Sequence, residues 1–292
     1  MKREELINTY IKVMKAEDKS EGTINEYLKH INEYFSFLDN NNIDYAEAKP
    51  KDIKLFRNEN PNLSASTKNG KVSAVNSFYT FLVDDMEMME YNPCSSVKSL
   101  KIKNRVEKTP LTKIQIYWLI NACKNNRDKA IISMLVNTGL RIHELINITL
   151  EDYRYSKVHD GELNVIGKGN KFRIVYIPEI TMEYVDEYLL ERKESEHNNL
   201  FISNGCKPMD RTCISRTLKT TARRSGHFSD DEISRIHNHL LRHVYTTEAI
   251  EANIPLEVVS KTLGHSSTNT TYGIYMHMNK NRIKENMKNF SI

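Results

Sequence analysis

Over most of the chain, apolar residues recur at three- and four-residue steps. Between Glu21 and Leu38, the positions Ile24, Tyr27, Leu28, Ile31, Tyr34, Phe35 and Leu38 fall on one side, with Lys29, His30 and Glu33 between them. That period predicts an amphipathic helix with one buried face. A second helix is predicted from Thr67 to Asp84, burying Val72, Val75, Phe78, Tyr79 and Leu82, with Lys68 and Lys71 in its early turns. Shorter helical stretches surround Leu6–Met14 and Ile53–Phe56. Asn92-Pro93 reads as a helix stop, because the residue before a proline is pushed out of the helical region. The first hundred or so residues therefore predict a four-helix domain.

After Pro110 the period is mixed. Ile114–Ala122, Ala130–Asn137, Arg141–Ile148, Met182–Arg192, Cys213–Arg223 and Leu240–Ile250 read as helices. Leu163–Ile166 and Phe172–Ile177 are short β-rich runs joined through Gly167-Lys168-Gly169-Asn170, a hairpin signature. Ser229-x-x-Glu232 fits a capping box, Asn238 is the expected N-cap of the helix after it, and Leu256–Leu263 ends at Gly264, suited to a helix C-terminus. The expected fold is mainly α: a helical N-terminal domain, then a mixed, mostly α domain with a small antiparallel sheet.

Length and charge refine this picture. At roughly 100–200 residues per domain, 292 residues suggest two domains, each able to bury its own core. No stretch approaches the ~20 apolar residues of a membrane span. Met1-Lys2-Arg3-Glu4-Glu5 leads into an amphipathic segment, with no secretory signal pattern. Cys94, Cys123, Cys206 and Cys213 form no C-x-x-C pair, so free thiols in a reducing cytoplasm are expected. The formal charge of +4 says little until it is divided by position. Residues 1–110 carry 17 basic and 17 acidic side chains, and residues 111–292 carry 25 and 21. Locally, Lys98, Lys101, Lys103, Arg105 and Lys108 face only Glu107. Lys207, Arg211, Arg216, Lys219, Arg223 and Arg224 face only Asp210. Such runs attract polyanions, because each neutralised phosphate releases counterions; solvated linkers and helix faces also carry them. The first run, lying between Asn92-Pro93 and Thr109-Pro110, marks the expected domain boundary.

The second half also carries the residues with chemistry. Arg141 follows Thr138-Gly139-Leu140, Lys168 sits in the predicted turn, His239 and Arg242 share His239-Leu240-Leu241-Arg242, and His265 follows Gly264. Arginine forks match phosphate oxygens bidentately, and lysine or histidine can move a proton, so the set suits a negatively charged transition state. Singly, each has a plainer reading: Arg141 paired with Glu144, Lys168 in a solvated turn, His239 in the core. A zinc site would use His239 and His243, with His237 nearby. It lacks a glutamate beside the first histidine, where Leu240 stands, and would place Arg242 among the ligands, so no metal is expected.

Four blocks occur in order: Thr138-Gly139-Leu140-Arg141-Ile142-His143-Glu144-Leu145, Gly167-Lys168-Gly169-Asn170-Lys171, His239-Leu240-Leu241-Arg242-His243, and Leu263-Gly264-His265-Ser266-Ser267 followed by Tyr275. With them the chain resembles the tyrosine recombinases of the phage-integrase and Xer class. Thr23-Ile24-x-x-Tyr27 and Asn92-Pro93 extend the resemblance through the N-terminal half. It implies a helical SAM-like core-binding domain over residues 1–97, a basic linker over 98–109, and a catalytic domain over 110–292 that ends in an exchange helix. It further implies that Arg141 and Arg242 bind the non-bridging oxygens of a scissile phosphate and that Lys168 protonates the departing 5′-oxygen. His239 assists proton transfer, His265 hydrogen-bonds the phosphate, and Tyr275 is the nucleophile. Glu144 and His243 support this set. The family's commonest spacing would place the tyrosine at 274, which is Ile274 here; Tyr275 is the better match and Tyr272 the alternative, with Gly273 able to absorb the extra residue. Lys171 is the alternative to Lys168.

The implied activity is site-specific recombination or integration through a 3′-phosphotyrosyl intermediate and a Holliday junction. The implied partner is double-stranded DNA with paired inverted half-sites, held by a cytoplasmic homotetramer on two sites, with room for an accessory or partner recombinase. Because the phosphotyrosyl ester conserves bond energy, no cofactor is expected. Lys68, Lys71, Lys101, Lys103, Arg105, Arg211, Arg216 and Arg223 are candidate DNA contacts. Beyond Tyr275, Ile283, Met287 and Phe290 continue a helical period whose partner is either the same domain or a neighbouring protomer. The competing functions are a catalytically silent DNA-binding regulator on the same fold and a DNA-relaxing tyrosine topoisomerase.

Overall fold

The computed structural model describes residues 3–102, 110–167 and 172–264. In the first of two units, Met1–Glu107, helices open where a polar side chain or a proline relieves the free N–H groups of the first turn. α1 spans Arg3–Ala16. α2, Glu21–Asn40, opens on Ser20, whose hydroxyl accepts from the backbone of Thr23. α3, Pro50–Asn58, has proline at its first position, where no N–H is needed. α4, Ala65–Thr80, opens on Ser64 and widens into a π-type turn over Phe81–Asp85. α2 packs on α4 around an aromatic core of Tyr10, Tyr34, Phe35, Phe56, Phe78, Tyr79 and Phe81. Its buried hydroxyls are satisfied: the Tyr34 and Tyr79 oxygens lie 2.9 Å apart, and Tyr79 donates to the Tyr45 carbonyl at 2.8 Å.

Two local expectations change here. The second long helix ends by Asp85, where its period predicts, so Asn92-Pro93 does not stop a helix. Asn92 instead folds a turn, accepting from Cys94 N at 2.8 Å and donating to the Asn76 carbonyl at 3.2 Å. The start of the basic run is also not free in solvent. Arg57 donates to the Lys98 carbonyl at 2.8 Å, and Asn69 pairs with both backbone groups of Leu100, at 2.9 and 2.8 Å. Residues 98–100 are therefore strapped to α3 and α4.

The second unit, Lys108–Ile292, begins with α5, Lys113–Asn121, opened by a Thr112/Gln115 capping box. α6, Asn126–Thr138, is buried on nearly every side from Ala130 to Val136 and ends at Gly139 in the left-handed region, φ 63°. α7, Ile142–Asn147, follows at once. α8, Leu150–Val158, was not predicted, because only Tyr153 and Ser156 are buried in it; its Thr149/Asp152 capping box is the local signal. β1, Glu162–Ile166, and β2, Phe172–Tyr176, form the antiparallel hairpin, with Val165 opposite Arg173 and Leu163 opposite Val175. α9, Glu179–Glu191, packs on α6. α10, Arg211–Ser225, is capped by Asp210, and α11, Asp230–Arg235, by the expected Ser229/Glu232 box.

α12, Asn238–Glu251, also lies on α6. Its N-cap is His237, one residue before the expected Asn238. Asn238 is already helical and buried, with its amide turned towards Ser215 Oγ at 3.3 Å. α13, Leu256–Leu263, ends at Gly264 in the left-handed region, as its sequence predicts. Among the described residues no helix is long and apolar enough to cross a membrane.

Candidate active site

The end of α6, the start of α7, the first turns of α12, the end of α13 and strand β2 meet in one place. α6 can stop sharply because Gly139 takes a backbone angle that other residues resist. A Cβ at this glycine would lie 2.6 Å from Tyr245 Cδ1 and 2.8 Å from Leu263 Cδ2, so its absence also lets α12 and α13 approach. Two residues on, Arg141 caps α7. Its backbone N–H donates to Glu144 Oε2 at 2.6 Å, and its guanidinium reaches Glu144 Oε1 at 3.1 Å and the Gly264 carbonyl at 3.0 Å.

Arg242, from the second turn of α12, is 7% exposed. It donates to the Gly139 carbonyl at 2.6 Å and to the carbonyl of Leu263. Arg141 and Arg242, 101 positions apart in sequence, thus grip successive carbonyls at the C-terminus of α13, where the helix dipole is negative. Among the described residues these bonds use two of each guanidinium's five N–H groups.

A third arginine, absent from the sequence-based set, completes the cluster. Arg173 of β2 forms a bidentate pair with Glu144, both bonds 2.7 Å, and its Nε donates to the Thr262 carbonyl at 2.7 Å. The Glu144 side chain is fully buried and the Arg173 side chain 7% exposed. A readable signal was present: Arg173 occupies the inward register of a strand whose other inward residue is Val175. A charged residue there needs a buried partner.

Three guanidiniums face one carboxylate, so the cluster keeps a positive excess in a poorly solvated place. Burial alone would raise the Glu144 carboxyl, but the hydrogen bonds from Arg173 and from the Arg141 backbone hold it below its usual range. Burial pushes Arg242 down to about 9, and the like charge of Arg141 adds to this. His239, in the first turn of α12, is lowered by desolvation and then by the charges of Arg211 and Arg242. His143 is lowered as well, first by desolvation. A bound anion would offset the cost of holding Arg242 buried beside Arg141. The arrangement can therefore neutralise an oxyanion on two fixed forks while keeping a neutral imidazole close by.

The remaining predicted residues divide plainly. Glu144 accepts from both Arg141 and Arg173. His243 is exposed, one turn beyond His239. Arg211, Arg216 and Arg223 are exposed along α10, and Lys101 is exposed after the strap. Lys68 is half-buried, with Nζ 3.2 Å from the Pro61 carbonyl. Lys71 is a correction. Its side chain is buried, its ammonium lies 3.3 Å from Glu33 and 4.3 Å from the centre of the Phe56 ring, and its charge is spent inside the first unit. Lys103, Arg105, Lys168, His265 and Tyr275 lie outside the described residues. Among the described residues no group of three or more His, Cys, Asp or Glu side chains could hold a metal ion.

Comparison with known proteins shows which family and which folds the chain resembles. The phage integrase family matches residues 110–282, and the N-terminal SAM-like domain of phage integrases matches residues 7–85. Tyrosine recombinase XerD of Yersinia pestis is 29% identical over 278 residues, 91% of this chain and 90% of that protein. Tyrosine recombinase XerD of Halalkalibacterium halodurans is 31% identical over 224 residues, 73% of this chain and 71% of that protein. Among solved structures, XerA recombinase superposes with a TM-score of 0.54 at 25% identity, covering 99% of this chain and 98% of that one. XerH site-specific recombinase, bound to a palindromic difH substrate, gives a TM-score of 0.72 at 20% identity, covering 90% of this chain and 78% of that one.

Proposed function

The chain belongs to the phage integrase family, and on that premise we propose that it is a tyrosine-type site-specific DNA recombinase, an enzyme that breaks and rejoins DNA strands. The observation that carries this reading is the convergence of Arg141 and Arg242 at the end of α13, immediately before His265. In the proposed reaction the two guanidiniums bind the non-bridging oxygens of the scissile phosphate, and His265 adds a hydrogen bond. The Tyr275 oxygen attacks phosphorus as the bond to the 5′-oxygen breaks, leaving a 3′-phosphotyrosyl ester and a free 5′-hydroxyl. A phenol with an ordinary pKa near ~10 is mostly protonated at neutral pH, so its proton must pass to a neutral base, and His239 is the group held in that form. Lys168 gives its proton to the departing oxygen. In resealing, a 5′-hydroxyl attacks the ester and the tyrosine leaves. One ester replaces another at each step, so no nucleoside triphosphate is consumed.

The first unit acts as the core-binding domain and the second as the catalytic domain, with the basic strap between them. Exposed Lys101, Arg211, Arg216 and Arg223, together with Lys68, Lys103 and Arg105, serve phosphate contacts. Four protomers on two sites with paired inverted half-sites, in the cytoplasm, complete the reading, with the segment after Tyr275 docking on a neighbouring protomer. The resemblance to Xer recombinases supports recombination over relaxation of DNA.

A nicked suicide substrate, whose cleaved end diffuses away, tests the proposal by trapping a covalent protein–DNA adduct. The adduct should form with the natural chain and with Tyr272→Phe, and be lost with Tyr275→Phe. An adduct that persists in Tyr275→Phe but not in Tyr272→Phe moves the nucleophile. DNA binding without any adduct from the natural chain would support the silent regulator instead.

A further inference from the structure

Arg173 is the one ionic link between the β-hairpin and the arginine-bearing elements among the described residues. Its fork closes on both oxygens of Glu144 in α7, and its Nε holds the Thr262 carbonyl at the end of α13. These partners are 29 and 89 positions away in sequence, so neither contact is a by-product of local structure. Gly264 makes room for the side chain: a Cβ there would lie 3.0 Å from Arg173 Cδ. Arg173 is also the second residue of β2, five positions after Lys168 in sequence. Glu144's bonds to Arg141 stay within the first turn of α7 and do not need Arg173. Removing Arg173 therefore cuts the hairpin's ionic tie to α7 and α13 while its apolar face stays packed in the core and Arg141 stays on Glu144.

We infer that Arg173 is a positioning residue that fastens the hairpin against α7 and α13, so that Lys168, which lies between β1 and β2 in sequence, meets the leaving oxygen of the phosphate bound by Arg141 and Arg242. This rests on the reading of Lys168 as the general acid. A buried bidentate pair suits the task because an arginine fork fixes direction as well as distance, which a single ammonium contact does not. The pair costs little strain to hold, since each Glu144 oxygen accepts from both arginines and no buried lone pair is left facing a void.

The test is single-turnover cleavage by the full chain of two suicide substrates. One carries an ordinary scissile phosphodiester; in the other, sulfur replaces the bridging 5′-oxygen. A thiol ionises near ~8.5, so a 5′-thiolate leaves without being handed a proton. Arg173→Gln should slow cleavage of the ordinary substrate by about 10²-fold, the usual effect of misplacing a catalytic group by about 1 Å, and recover most of that loss on the sulfur substrate. Arg173→Lys, which keeps the charge but not the fork, should show a smaller loss with the same recovery, and it carries the test if Arg173→Gln does not fold. Arg141→Ala should be impaired on both substrates. A loss in the Arg173 variants that is equal on the two substrates, or no loss, overturns the inference. Lys168→Ala separates the two readings: if it is not rescued by sulfur, the general-acid assignment fails, whereas rescue of Lys168→Ala without rescue of the Arg173 variants sinks only the role of Arg173.

Discussion

Gly139→Ala measures how closely the site depends on the approach of α12 and α13 to the end of α6. Gly139 and Gly226 both end helices with left-handed backbone, at φ 63° and 70°. Alanine in that region costs about 1–2 kcal/mol at either position. The surroundings differ. Nothing lies within 4 Å of a Cβ added at Gly226, whereas at Gly139 it would meet Tyr245 Cδ1 at 2.6 Å, Leu263 Cδ2 at 2.8 Å and Tyr245 Cγ at 2.9 Å. Forcing a methyl into packed surroundings adds about 1–3 kcal/mol. Gly139→Ala should therefore lose about 2–5 kcal/mol, and Gly226→Ala only the backbone part. The chain has one tryptophan, Trp118, in the second unit, so urea unfolding followed by its fluorescence reports on the right domain. With a urea slope of about 1–3 kcal/mol per molar, the two midpoints should separate by about 1 M. Cleavage should fall further in Gly139→Ala as well, because the Gly139 and Leu263 carbonyls that hold Arg242 would move. Equal midpoints for the two variants would refute the packing argument.

Two further expectations concern charge. Lys71→Ala should destabilise the first unit by about 1–2 kcal/mol, through the lost stem packing and the contact with Phe56. It should leave the salt dependence of DNA binding unchanged, whereas Arg216→Ala should reduce the slope of log K against log salt by about 1; a matching reduction in Lys71→Ala would return that lysine to the DNA face. His239 is held below the ordinary histidine value, so its neutral form dominates at pH 7 and persists into mild acid. Single-turnover cleavage should therefore be flat around neutrality and fall only below about pH 6.5, and an acid limb centred above that value would contradict the assigned environment.

Much of this protein is written in signals that act over a few residues. The three- and four-residue period marks the long helices because burying one face requires it, and Ser229-x-x-Glu232 and Gly264 mark helix ends because the free N–H and C=O groups there need nearby partners. Gly167-Lys168-Gly169-Asn170 between two β-rich runs was enough to place the hairpin strands. α8 was missed because its apolar period is weak, although its capping box was legible. Asn238 was misplaced by one residue because its amide turned to Ser215 on another helix.

The chain's own order of residues thus determined most of the helices, the hairpin strands and the presence of Arg141 and Arg242 in recognisable blocks. Only the tertiary structure decided what each charge faces. Lys68 and Lys71 look alike on paper, yet Lys71 is enclosed by Glu33 and Phe56. Arg173 looked like one more strand residue, yet it holds Glu144 and the end of α13. Helical periods and caps are local, with ranges of three or four residues. The partner of a buried charge is set by whichever distant element packing brings within about 3 Å, and in this protein that packing gathers three arginines around one glutamate.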